Sequence, residues 1–190
     1  MTLRQELASW KFPQQLQIAQ VPNSGTFAPS SDQIPLPPPN GKPTVITFLR
    51  HCGCPFAEKA FLDLRTTASA NPSVNFIAVS HSDAKATEKW INALGGSRRV
   101  QVIVDADRQL YTKWGLGVAS FWHLLNPQSM WGVYQLASHE GIWNRPTESG
   151  TRWQTAGSFA VDKKGHVCWS RPALSAHEVP NFDEAVKAMQ

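Results

Sequence analysis

Charged residues make up only 17% of the 190 positions, tyrosine occurs twice and cysteine three times. Low charge density beside an ordinary apolar share of 42% excludes a disordered chain. An odd number of cysteines, in a chain long enough to bury a core without staples, excludes a disulfide framework. No apolar run approaches the length of a membrane-spanning helix. Residues 1–20 are polar and lack the apolar stretch and small-residue cleavage site of a secretory signal. The expectation is a cytoplasmic protein with no membrane partner.

Basic residues outnumber acidic ones 18 to 14, for a formal charge of +4. The excess is dispersed, with Arg98-Arg99 and Lys163-Lys164 as the only adjacent pairs. A nucleic-acid surface needs a basic stripe interleaved with aromatics, so no nucleic-acid partner is expected. What is abundant is tryptophan, with eight residues. Trp122, Trp131, Trp143 and Trp153 fall in one segment. They could line an apolar substrate pocket, form the surface of a homodimer, or enlarge the core.

The order of elements follows from periodicity. Leu3, Leu7 and Trp10 suit a short helix over Thr2–Trp10, broken soon after by Pro13. Residues 22–43, rich in proline and ending near Pro37-Pro38-Pro39, read as an extended strap leading into a body over 44–190. Strands are expected at Thr44–Leu49, Val74–Val79 and Val100–Val104. Helices are expected at Pro55–Ala70, from an Asp83 cap through Leu94, and from Asp107 through Trp114. Ser158–Val161 and His166–Ser170 flank a turn ending in Gly165, which reads as a hairpin. A last helix follows Asn181. This order implies an α/β fold: a central mixed sheet with helices on both faces and a C-terminal hairpin. Residues 118–153 interrupt the alternation as an insertion with no assigned secondary structure.

A strand running into Cys52-Gly53-Cys54-Pro55-Phe56 at a helix start resembles the active-site corner of the thioredoxin fold. The stretch Asp105–Tyr111, and Arg152–Trp169 with its closing hairpin, resemble AhpC/TSA-type, peroxiredoxin-like proteins. The resemblance covers the body after the strap and implies a thioredoxin-like domain over 44–190. It also departs from both patterns. The second position of a thioredoxin Cys-x-x-Cys is Ala57. The peroxiredoxin proline and threonine positions, counted back from Cys54, are Thr47 and His51. Where thioredoxins place a cis-proline before the hairpin, this chain has Ala156-Gly157.

Cys54 stands where helix amides and the helix dipole favour a thiolate, and Arg50 and His51 would add positive charge there. Such a thiolate attacks a peroxide, a disulfide or an electrophilic carbon. Glu58, one turn along the helix, would carry a proton or pair with Lys59 or Arg65. In an extended chain Cys52 points to the same side as Cys54. A disulfide between them would close a small strained ring, and a buried structural thiol is the equal alternative. His81, at the end of the second strand, reads as a solvated or capping histidine. No metal is expected, because the Cys and His spacing fits no zinc signature. No cofactor is implied.

The leading expectation is a thiol-dependent oxidoreductase that reduces a peroxide or disulfide through Cys54 and is resolved by an external thiol, glutathione or thioredoxin. The alternatives are a non-redox enzyme converting a small hydrophobic substrate in a tryptophan-lined pocket, and a thioredoxin-like binding or assembly module.

Overall fold

The structure is a computed structural model and describes residues 3–190, so the Thr2 start expected for the first helix lies outside the described residues. Five strands form one sheet: β1 (Thr44–Phe48), β2 (Asn75–Ser80), β3 (Val100–Val104), β4 (Gly157–Val161) and β5 (Val167–Pro172). Their order is β3-β2-β1-β4-β5, with β1 central. β1 pairs parallel with β2 and antiparallel with β4, as the β-α-β crossover and the terminal hairpin require.

Period-two alternation along β1 builds two cores. Val45 joins the core under α2 (Pro55–Ala70), which also holds Phe61, Leu64 and Trp90 of α3 (Ala84–Ala93) and Phe182 of the last helix. Ile46 and Phe48 turn to the opposite face, where Tyr111 of α4 (Gln109–Lys113) packs with Trp114, Phe159 and Ile34 of the strap. The helix limits have local causes. Asp83 accepts from Ala86 N at 2.8 Å and starts α3. Asp105, rather than Asp107, starts α4: its carboxylate takes the amides of Gln109, Leu110 and Tyr111. Asn181 caps the last helix, Phe182–Lys187.

Two segments are added to this frame. The strap docks on β5 through main-chain bonds from Gly25 N to Val167 O (2.8 Å), Val167 N to Thr26 O (2.9 Å) and Ala28 N to Gly165 O (2.8 Å). The insertion is helical in its first part, with α5 at Phe121–Leu125 and α6 at Pro127–Glu140. Its remainder, residues 142–153, crosses the end of β1 together with the first helix, α1 (Leu3–Ser9).

Candidate active site

β1 ends in a tight turn before α2. Cys54 N donates to His51 O at 3.1 Å, and Gly53 sits at φ +113°, a conformation open to glycine and strained for other residues. Cys54 is the N-cap of α2 in extended conformation, with Pro55 at the first helical position. Its side chain makes no cap bond, so Sγ is free for another partner. That partner is Arg50, whose Nη1 donates to Sγ at 3.4 Å while Nη2 donates to Arg152 O at 2.8 Å. Arg50 therefore brings its guanidinium onto the Cys54 sulfur. Cys54 itself is only 3% exposed.

Cys52 does not point with Cys54. The left-handed Gly53 breaks the extended alternation on which that expectation rested, and Cys52 Sγ faces Ser80 Oγ (3.6 Å) and Thr87 Oγ1 (3.8 Å) across β2 and α3. Burial pushes its thiol above the ordinary range, which disfavours the thiolate. Both cysteines are free thiols. The third, Cys168, is half-buried on β5, with Sγ directed at His166 O.

His51 supplies no positive charge to the corner. It is buried, Nδ1 lies 3.2 Å from Thr147 Oγ1, and desolvation, reinforced by Arg50 and Arg152, holds it well below the ordinary imidazole range. His81 is likewise buried rather than solvated. Its Nε2 contacts Thr151 O and N at 3.0 and 3.2 Å, and desolvation lowers it to about 4. The unfolded chain protonates these groups near pH 6.5 and the folded one does not, so unfolding binds protons between about pH 6.5 and about pH 4. Stability should be level above that window and fall as pH drops through it. Asp105, pushed up by burial, opposes this only nearer the carboxylate range. The urea midpoint should be lower near about pH 5 than at neutrality; an unchanged midpoint would mean that the imidazoles protonate freely in the folded state.

Glu58 is not a free proton carrier and does not pair with Lys59 or Arg65. It is buried and forked by Arg145, with Nε to Oε2 at 2.7 Å and Nη2 to Oε1 at 3.1 Å. Lys59 pairs instead with Asp63 and Glu140. Trp122, Trp131 and Trp143 are 70%, 60% and 66% exposed, and none of them covers Cys54. Trp153 is buried, but against Phe12 in a stack at 4.0 Å and beside Trp10, outside the corner. Among the described residues, no group of three or more His, Cys, Asp or Glu side chains could hold a metal ion.

Sequence reasoning missed the residues that roof the corner. Arg145 N donates to Gly53 O at 2.9 Å. Thr147 bonds both His51 and Arg152. Arg152 is held by Ser9 Oγ at 3.0 Å and by the Glu6 carboxylate, with its guanidinium 4.8 Å from the Trp10 ring centroid. One signal was available: a glutamate at the buried start of α2 needs a cation, and none lies within helical reach in the buried direction.

The comparisons with known proteins agree with this architecture. The fold is similar to that of the thiol peroxidase from Chromobacterium violaceum, at TM-score 0.60 and 15% identity, over 91% of this chain and 89% of that one. It is also similar to the peroxiredoxin-like protein from Aquifex aeolicus, at TM-score 0.54 and 17% identity, over 78% and 71%. AhpC from Enterococcus faecalis gives TM-score 0.51 and 15% identity, over 78% and 73%. No curated protein matches the sequence. The family model of the AhpC/TSA antioxidant enzymes matches residues 62–173, starting downstream of Cys54 and taking in more than half of the chain. With a mixed thioredoxin-like sheet and a cysteine at its central strand-to-helix corner, the chain belongs to the AhpC/TSA antioxidant enzyme family.

Proposed function

We infer that the protein is a thiol-dependent oxidoreductase that reduces a peroxide through Cys54 and depends on an external thiol for turnover. The observation that carries this reading is the Arg50 Nη1–Cys54 Sγ hydrogen bond at the start of α2, a fixed cation on a cap sulfur. The thiolate attacks one peroxide oxygen and the O–O bond breaks. The second oxygen leaves with the bonding electrons and takes a proton, giving water or an alcohol, while Cys54 becomes a sulfenic acid. An external thiol then attacks the sulfenic sulfur, releases water and forms a mixed disulfide. A second thiol regenerates Cys54 and departs as the oxidised disulfide. Ala57 stands where a resolving cysteine would be, and Cys52 faces β2 and α3, so the thiol has to come from outside the corner.

Peroxide consumption with glutathione as reductant tests this. Cys54→Ser should lose turnover to background, and Cys52→Ser should stay within about twofold of the parent, because burial outweighs the hydroxyls around Cys52 and disfavours its thiolate. Mass spectrometry after peroxide and glutathione should find the adduct on Cys54. Turnover undiminished in Cys54→Ser, or a stable Cys52–Cys54 disulfide formed without added thiol, would overturn the reading.

A further inference from the structure

From Trp114 to His139 the chain carries no Asp, Glu, Lys or Arg, in a protein where such residues make up 17%. Both α5 and α6 lie within this stretch. α6 is also inverted in the size of its side chains. Toward the core it sets Ser129, Leu136 and Ala137, with Gly132 so close to α2 that an added Cβ would stand 3.1 Å from the Phe56 ring. Toward solvent, along one stripe, it sets Met130, Trp131 and Tyr134. A surface helix ordinarily does the reverse, since its largest apolar side chains gain most from leaving water. The rings of Trp131 and Tyr134 lie 5.3 Å apart and form one patch.

The patch continues toward α5. Trp131 borders a groove of about 730 Å³ and Trp122 one of about 680 Å³, and the two grooves meet at Pro127 and Gln128. The second groove also takes in Leu174, exposed like Trp122. Among the described residues, few ionisable groups line either one. Lys59 and Glu140 offset each other in an ion pair at 2.9 Å. The rest are three histidines: His139, His177 held on Ser129 Oγ at 3.1 Å, and His123, which burial keeps below the usual imidazole range.

This distribution selects among partners. A lipid surface holds an interfacial helix through Lys and Arg beside its apolar side, and this stretch has none. A foreign protein is commonly steered by opposite charge, which the face cannot offer. For a second copy the absence is an advantage. A two-fold axis sets a face against itself, so any net charge on it would be repelled by its own image. With +4 on each chain, an uncharged face is where two copies approach without that cost. The area is also adequate. Trp122, Trp131 and Tyr134, each 60–70% exposed, offer roughly 400 Å², the size at which an apolar patch marks an interaction site. Met130, Leu174 and the stems of Gln128 and Gln135 extend it toward the ~800 Å² each partner brings to a standard interface.

We propose that α6 is the contact face of a homodimer, packed antiparallel on α6 of a second copy across a two-fold axis near Trp131 and Tyr134, with Trp122 and Leu174 at the periphery. The assembly does not involve Cys54 and is tested apart from its chemistry.

Sedimentation velocity of the wild-type protein in mildly alkaline buffer, from about 1 to about 100 µM, should show a reversible monomer–dimer equilibrium with a micromolar dissociation constant. Because no charge pair holds the face, added salt should leave that constant unchanged or tighten it. Trp131→Glu places like charges across the axis and should weaken the dimer by about tenfold or more. Tyr134→Lys tests the same axis from a second residue, and circular dichroism checks that each variant folds. Lys163→Glu changes charge on the exposed hairpin turn and should leave the dimer intact. If neither face variant folds, the wild-type titration and its salt dependence decide. A wild-type monomer throughout the range would overturn the proposal, and its capture by vesicles of phosphatidylcholine and phosphatidylserine would assign the face to lipid instead. A dimer that salt dissociates, or one undiminished in folded Trp131→Glu and Tyr134→Lys, would overturn it equally.

Discussion

Replacing Gly53 with alanine should lower the unfolding free energy by about 3 kcal/mol and the melting temperature by roughly 6 to 12 °C. Two costs combine. At φ +113° an L-residue is strained wherever it sits. The added Cβ would also stand 2.7 Å from Arg145 O and 2.9 Å from Pro146 O, which are backbone atoms and cannot swing aside. Relief would require the 145–146 strand of chain to lift off the turn, breaking the Arg145 N–Gly53 O bond and loosening the Arg145–Glu58 fork. Urea and thermal unfolding measure the loss directly. A change below about 1 kcal/mol would show that the turn accepts an ordinary residue and that the packing described for it is wrong.

The second large effect is expected at Arg152, whose replacement by methionine keeps much of the volume and removes the guanidinium. The side chain ties α1 to the roof through Ser9, Glu6 and Thr147, and its cation covers Trp10. Cutting a buried ion pair on one side commonly costs about 3 to 5 kcal/mol, but the Glu6 side chain keeps 27% of its surface in water, so about 2 kcal/mol is the expected loss. A helix of seven residues does not persist without such tethers. Amides of α1 should therefore exchange with solvent faster by an order of magnitude or more, and Cys54 should be alkylated several-fold faster as its cover loosens. The main-chain bond from Arg152 N to Ser9 O and the Trp153 Nε1 bond to Trp10 O survive the substitution, which keeps the effect local. Unchanged exchange in α1 would show that those two bonds suffice and that the guanidinium is dispensable.

Much of the frame could be read before any coordinates. The β-branched run of β1 and the spacing of Phe56, Ala60, Phe61 and Leu64 on α2 are local patterns, and local patterns decide element type. The contact between Arg50 and Cys54 was within reach for the same reason, since only four residues separate them. What failed depended on a single dihedral or on distant chain. Strand alternation puts Cys52 on the side of Cys54, and one glycine at positive φ cancels that alternation. Proximity in sequence suggests a charge on His51, but Thr147 and Arg152 arrive from distant chain and the site buries the imidazole. α6 went unassigned although its signals are present: Asn126 caps Ser129 N at 2.8 Å, Pro127 opens the helix, and Gly141 at φ +67° closes it. Local sequence does not choose among pocket, dimer surface and core for the tryptophans of the insertion; Trp122, Trp131 and Trp143 are exposed, and Trp131 lies beside Tyr134 on α6 with ring centroids 5.3 Å apart.

The docking of the strap on β5 also bears on how the protein behaves at high concentration. A sheet ordered β3-β2-β1-β4-β5 has two flanks, and a flank with unpaired amides and carbonyls is a template for a strand of a neighbouring molecule. Residues 25–28 already take up hydrogen-bonding groups of Gly165 and Val167 at the β5 flank, and Pro22, Pro29 and Pro35 bracket the segment with residues that donate no amide. The start of β5 is thus covered by a short, proline-bounded piece of chain. The opposite flank is β3, five residues long and preceded by Arg98 and Arg99, whose like charges repel the same face of a second copy.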